Sequence, residues 1–144
     1  EQSLQETYAA MRAKVRESFA VFAARLPVGQ GDHRLMGTSG TVTTLASVYL
    51  NLPSYDRRQI DGLHLPTSAM REISQTLASR PPKGRAEFPT IGHERADLVV
   101  AGCAILETIF DIWPGERLGV ADRGIREGIL RALMASDARR RKRR

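Results

Sequence analysis

The sequence predicts a helix-rich α/β domain with few strands, and three observations carry that prediction. Five segments place apolar residues at helical spacing. Two short apolar runs, "RLMGT" and "RLGVA", are too brief for helices and read as strands. Long helical connections separate those runs, so the strands should lie parallel. Parallel sheets are normally larger than two strands and covered on both faces. Because the chain begins with Glu1 rather than Met, the rest of the sheet is expected upstream, in a longer protein.

Each element has a local reason. Leu4, Met11, Val15, Phe19, Phe22 and Leu26 define an amphipathic helix over 4–26, stopped by Pro27 and Gly29. After the "RLMGT" strand, "GTVTTLASVYL" reads as a helix ending near Asn51-Leu52-Pro53. "SYDRRQIDGLHLP" is an irregular connector in which Ile60, Leu63 and Leu65 give at most a short extended piece. A helix follows over 67–79 with Met70, Ile73 and Leu77 on one face, and "RPPKG" breaks it. "HERADLVVAGCAILETIFDIW" is apolar nearly all round after Asp97, which predicts a central buried helix ended by Pro114-Gly115. After "RLGVA", "IREGILRALMAS" closes the domain, with Ile125, Ile129, Leu130 and Leu133 expected on its inner side.

Composition narrows the function classes. Apolar residues make up 42% and charged residues 26% of the chain, as in ordinary globular domains. The net charge of +6 belongs to residues 139–144, all Arg or Lys; the remaining 16 basic residues match the 16 acidic ones. A basic partner signal therefore sits in the tail, where nucleic acid or another polyanion would be held weakly, and a solvated, disordered end is the plainer reading. A lone cysteine, Cys103, excludes a disulfide framework and argues for a reducing compartment, with the cytoplasm as the expected location. It lies in the apolar run "VVAGCAIL" and reads as a buried structural thiol. No apolar stretch reaches the length of a membrane span, and no membrane partner is expected.

The turn "GTSGT" at 37–41 carries the first chemical question. A nucleophile elbow, G-x-S-x-G, would need glycine where Thr41 stands, and His33, His64 and His93 have no distinctive spacing to Asp61, Asp97 or Asp122. The same histidines lack metal-ligand spacing, so no metal site is expected from this chain. A phosphate site fits better. Gly37 and Gly40 allow close backbone approach, Thr38, Ser39 and Thr41 supply hydroxyls, and the following helix start favours an anion. A plain tight corner uses the same residues.

Two further stretches bear on that choice. "IGHERADLVV" puts Glu94, Arg95 and Asp97 in the first turn of the buried helix, where an arginine needs a partner or an anion. The bland alternative is an internal tie from Arg95 to Glu94 or Asp97. "VADRGIREG" puts Asp122 and Arg123 just past a strand, where open α/β sheets place their ligand crevice. There the bland alternative is a helix cap by Asp122, with Gly124 allowing the turn.

In this order and spacing, "GTSGTVTTLA", "IGHERADLVVAGCAIL" and "VADRGIREGIL" resemble the exopolyphosphatase / guanosine pentaphosphate phosphohydrolase (Ppx/GppA) phosphatase family, bacterial members of the actin–Hsp70–sugar kinase superfamily. The resemblance runs from about residue 1 to 134. It implies a partial actin-like, ribonuclease H-like domain: residues 1–136 as the C-terminal portion of a second actin-like domain, and 137–144 as a basic disordered tail.

By the same resemblance the parent hydrolyses terminal phosphoanhydride bonds of polyphosphate or guanosine pentaphosphate (pppGpp) with Mg²⁺. Gly37, Thr38, Ser39, Gly40, Thr41 and Arg95 would face the ligand cleft. Glu94, Asp97, Asp122, Arg123 and Gly124 would be cleft-lining or structural. The family's phosphate loops and catalytic glutamate have no counterpart in this sequence. The chain is then expected to be inactive alone, and its missing N-terminal domain is the implied partner; a homodimer is compatible with the resemblance. Two competitors stand beside this reading: the ATP-binding domain of another actin-like superfamily member, and a non-catalytic domain whose tail binds polyanions.

Overall fold

The computed structural model describes residues 3–26, 34–38 and 40–141. In chain order these form α1 (Leu4–Arg25), β1 (Leu35–Gly37), α2 (Gly40–Tyr49), α3 (Arg57–Ile60), β2 (His64–Pro66), α4 (Thr67–Ala78), α5 (Pro82–Ala86), α6 (Gly92–Arg95), α7 (Leu98–Ile112), β3 (Arg117–Val120) and α8 (Ile125–Arg141). The five expected helices are present as α1, α2, α4, α7 and α8. Pro27, Gly29 and His33 lie outside the described residues.

Both expected strands form, and they pair in parallel, Leu35 with Leu118 and Gly37 with Val120. The connector contributes more than the sequence suggested. Asp56 caps the short α3 by accepting from the Arg58 N–H, and the extended piece becomes β2, antiparallel to β3. The sheet order is β1-β3-β2. Gly62, at φ 91°, supplies the left-handed residue that turns the chain from α3 into β2.

α7 is the central element, as its apolar sequence predicts. Val99, Val100, Cys103, Ala104, Leu106 and Phe110 enter one core with Leu45 and Ala46 of α2, Met70 and Leu77 of α4, and Leu118 and Val120 of β3. Two of its large apolar residues stay outside: Leu98 is 72% exposed and Ile105 is also exposed. Gly102 is the contact point with α2, because a Cβ there would collide with the Thr41 side chain. Cys103 is fully buried, and burial pushes its thiol up to about 11, which makes it inert.

Four expectations are corrected. The stretch 92–112 is not one helix. Arg95 ends a separate helical turn, α6, and is exposed, so it does not open the buried helix. In α1 only Tyr8 is buried, with Met11 packed against the core, whereas Leu4, Phe22 and Leu26 are exposed. The apolar face of α8 does not turn inward: Ile125 is 81% exposed, and Ile129, Leu130 and Leu133 are exposed too. Finally, α8 runs on through Arg141, so residues 137–141 are helical rather than a disordered tail; residues 142–144 lie outside the described part.

Polar groups lock the helices together. The Tyr8 hydroxyl donates to Glu107 Oε2 at 2.8 Å, inside the core. Arg12, Arg16 and Arg71 converge on Asp111 at 2.5, 2.7 and 2.9 Å. Arg85, buried at the end of α5, donates to the Leu77 carbonyl at 2.9 Å and the Ala96 carbonyl at 3.1 Å. Burial alone lowers its pKa. That staple holds the loop carrying α6, and Arg95 with it, against α4.

Candidate functional site: a cleft at the strand ends

β1 and β3 run in the same direction, so Gly37 and Val120 end the two strands side by side; the Ala121 N–H donates to the Gly37 carbonyl at 2.9 Å. The "GTSGT" turn and the "ADRG" stretch leave the sheet together at this edge. Open α/β sheets place ligands beyond such strand ends.

The two glycines of the turn serve different purposes. A Cβ on Gly37 would stand 2.5 Å from Val42 Cγ2, so packing of β1 against α2 demands glycine there. Gly37 lines an apolar groove with Leu35, Val42 and Leu118, not the polar cleft. Gly40, the first residue of α2, has nothing within 4 Å of where a Cβ would stand, and its φ is not left-handed. It borders open space. Thr38 is exposed, Thr41 half-buried, and Ser39 lies outside the described residues.

Two adjoining cavities share Gly40 and Arg95. The smaller, about 180 Å³, is lined by Gly40, Thr41, Thr44, Arg95, Leu98 and Val99. The larger, about 460 Å³, is lined by Gly40, Thr43, Ser54, Tyr55, Pro89, Thr90, Arg95 and Asp122. The fold therefore brings together one residue or more from each of the three stretches singled out in the sequence. Among the described residues Arg95 has no ion-pair partner, so the expected alternative of a tie to Glu94 or Asp97 is not realised. Glu94 and Asp97 are exposed and line neither cavity, and Asp97 makes no side-chain cap on α7.

Asp122 is held by partners the sequence did not suggest. Its Oδ2 accepts from the Tyr55 hydroxyl and lies 3.3 Å from Arg57 Nε, while its carbonyl accepts from Arg57 Nη2. Burial first, and then the hydrogen bond to Asp122, push the Tyr55 phenol up to about 12. Arg123 does not reach the cavities; it donates to Asp61 Oδ2 at 2.8 Å, and Asp61 Oδ1 accepts from the Asp122 N–H at 3.0 Å. The Arg123 hydrogen bond, followed by the Asp122 N–H, holds the Asp61 carboxyl below its usual range. The expected cap by Asp122 is corrected: the Gly124 N–H donates to Glu127 Oε2 at 2.8 Å, so Glu127 caps α8.

The residues missed from sequence are Tyr55, Arg57, Thr43, Thr44, Ser54 and Thr90. "SYDRRQID" was legible only as a polar connector. The Tyr55–Asp122 contact spans 67 positions, and no local pattern announces it.

The cleft can chemically receive an anion. A helix start and the Arg95 guanidinium share one space, with threonine side chains beside them. Among the described residues no three His, Cys, Asp or Glu side chains group as metal ligands. Nor, among them, is any helix long and apolar enough to cross a membrane.

Comparison with known proteins gives a consistent result. The model of the Ppx/GppA phosphatase family matches residues 2–137. No curated protein matches. The crystal structure of the Aquifex aeolicus Ppx/GppA family member is similar at TM-score 0.79 and 23% identity, over 95% of this chain and 44% of that one. A structural study of the Aquifex aeolicus PPX-GPPA enzyme gives TM-score 0.71 and 26% identity, over 83% of this chain and 38% of that one. An exopolyphosphatase from Cytophaga hutchinsonii gives TM-score 0.76 and 17% identity, over 90% and 42%. The chain spans less than half the length of each of these structures.

Proposed function

The chain belongs to the Ppx/GppA phosphatase family, and from that premise we propose that it supplies one wall of the cleft in a phosphohydrolase cleaving terminal phosphoanhydride bonds of polyphosphate or pppGpp. One observation carries the reading: Gly40, at the start of α2, and Arg95, which has no ion-pair partner among the described residues, line the same two cavities beyond the strand ends.

Phosphoryl transfer depends mainly on positioning and on stabilising charge spread over the phosphoryl oxygens. In this chain the N–H groups opening α2 and the Arg95 guanidinium would hold and neutralise phosphate, while the Thr41 and Thr44 side chains fix its orientation. Mg²⁺ would neutralise phosphate oxygens in the complete enzyme. Among the described residues no cluster of carboxylates, histidines or cysteines offers that ion a ligand set. A carboxylate activating the attacking water would come from the remainder of the protein, and the reducing location suggested by Cys103 would be the cytoplasm.

Calorimetric titration of the chain with inorganic tripolyphosphate tests the cleft. Charge-assisted hydrogen bonds contribute about 1.5–3 kcal/mol each, so Arg95→Ala should weaken binding roughly tenfold or more. Unchanged affinity would remove Arg95 and this cleft from the reading. The isolated chain should release no phosphate from either substrate, and Mg²⁺-dependent turnover by it would contradict the division of labour proposed.

A further inference from the structure

We propose that Arg85 is a positioning residue of the cleft: from inside the fold it sets where the Arg95 guanidinium stands, and so how tightly phosphate is held. Arg85 lines neither cavity and touches no ligand itself. This rests on the cleft reading above and adds to it a residue that acts through another.

The argument begins with a buried charge. Arg85 is 6% exposed, and among the described residues no carboxylate forms an ion pair with it. Taking a cation out of water is costly unless its donors find acceptors. Here the acceptors are two main-chain carbonyls. Nε donates to Leu77, in the last turn of α4, and Nη1 to Ala96, the residue that closes α6. Carbonyls at the end of a helix such as α4 have no partner within it and favour a cation. The fork therefore closes the segment between Leu77 and Ala96 into a loop. Ala96 follows Arg95 directly, so fixing its carbonyl anchors the backbone one residue beyond the Arg95 side chain.

Arg95 needs such an anchor. It is exposed, it forms no ion pair among the described residues, and α6 is a single turn without a side-chain cap at its start. A lone turn does not hold itself together in water. Two attachments bracket it: Ile91, buried just before Gly92, and the Arg85 fork just after Arg95. Pro89 and Thr90 of the same loop also line the larger cavity, so the clip sets one side of that space. The residue type matters. A planar fork that donates in two directions fixes geometry, whereas an apolar side chain of similar volume only fills space.

The test is a double-variant cycle, read by titration calorimetry of the 144-residue chain with inorganic tripolyphosphate at low salt. Arg85→Lys keeps the charge but offers a single point in place of a fork. It should weaken binding about two- to tenfold, the cost of ordering one long side chain when the ligand arrives. In an Arg95→Ala background the same change should leave affinity as that background has it, while lowering the melting temperature equally in both. A staple that only supports the fold would lower the melting temperature without touching affinity, or weaken binding alike in both backgrounds; either result overturns the positioning role. Should Arg85→Lys fail to fold, hydrogen exchange in the wild-type chain decides. Tripolyphosphate should slow exchange of the Arg85 and Phe88 amides, which are bonded to the Pro81 and Arg85 carbonyls. A ligand held by Arg95 stabilises whatever holds Arg95. Unchanged exchange at those amides with ligand saturating overturns the proposal as well. The cleft reading is judged separately. If Arg95→Ala weakens binding and Arg85→Lys does not, the cleft stands without this residue. If Arg95→Ala changes nothing, the cleft reading falls and the positioning role with it.

Discussion

The Tyr8 hydroxyl reaches Glu107 at 2.8 Å across 99 residues of sequence, and this bond joins the first helix to the centre of the core. Glu107 is fully buried, with Arg12 at 3.5 Å and Gln75 Nε2 at 3.5 Å as its further partners. Tyr8→Phe leaves that carboxylate one donor short in the interior. Losing a partner from a buried charged group costs about 1–3 kcal/mol. The melting temperature should fall by several degrees, with α1 proteolysed first. An unchanged melting curve would show that Arg12 and Gln75 suffice for Glu107.

The same network gives stability a pH dependence with a defined sign. For Asp111, burial acts to raise the pKa, but hydrogen bonds from Arg12 and Arg71 outweigh it and the net shift is downward. A depressed carboxyl stabilises the fold above its unfolded value, near 4, and that contribution is lost as pH falls through the folded value. Tyr8 is raised above its ordinary value near 10, chiefly by burial and then by Glu107, so its contribution is lost as pH rises beyond that value. Denaturant midpoints should therefore decline at both extremes. Asp111→Asn should flatten the acid limb and Tyr8→Phe the alkaline one; limbs unmoved by these variants would assign the dependence elsewhere.

At Gly37 the requirement is steric. Gly37→Ala places a Cβ 2.5 Å from Val42 Cγ2, and relieving that overlap should cost about 1–3 kcal/mol. Val42→Ala in the same chain should return part of the loss, less the cost of its own cavity. A double variant no more stable than the sum of the single effects would show that the two positions do not compete for space.

What the sequence disclosed follows from how local each signal was. The apolar run 98–112 is its own evidence for a central helix, and the two strands are short apolar runs with helical connections, so their parallel pairing was readable. Arg95 and Asp122 were readable as polar residues at element ends. Their meeting with Gly40 in one cavity was not, because it depends on α6 standing apart from α7 and on the Arg85 staple. Arg85 looked like one more charge in a polar stretch, yet it is buried. The apolar face of α8 misled in the opposite direction: helical periodicity marks a face suited to burial, but among the described residues nothing covers it.

The end of α8 tests the charge argument. Deleting residues 139–144 removes six cations from a segment whose described side chains contribute nothing to the core. The melting temperature should stay within error, while weak polyanion binding should lose most of its salt dependence, since each neutralised phosphate steepens that dependence. A marked fall in melting temperature would show that the run supports the fold.

Gly40 separates a ligand site from a corner. Its Cβ would meet nothing within 4 Å, its φ is compatible with any residue, and it borders both cavities. Gly40→Val should therefore leave the melting curve close to wild type, within about 1 kcal/mol, since a β-branched residue in a helix's first turn carries only a small propensity cost. The added branches project where phosphate would approach the N–H groups of α2. Losing one or two charge-assisted hydrogen bonds, at about 1.5–3 kcal/mol each, predicts a ten- to hundredfold or greater loss of tripolyphosphate affinity. In the complete enzyme the same loss should raise KM far more than it lowers kcat, because the contact is made to bound substrate and transition state alike. A well-folded Gly40→Val protein with undiminished phosphate affinity would reduce "GTSGT" to a tight turn between β1 and α2.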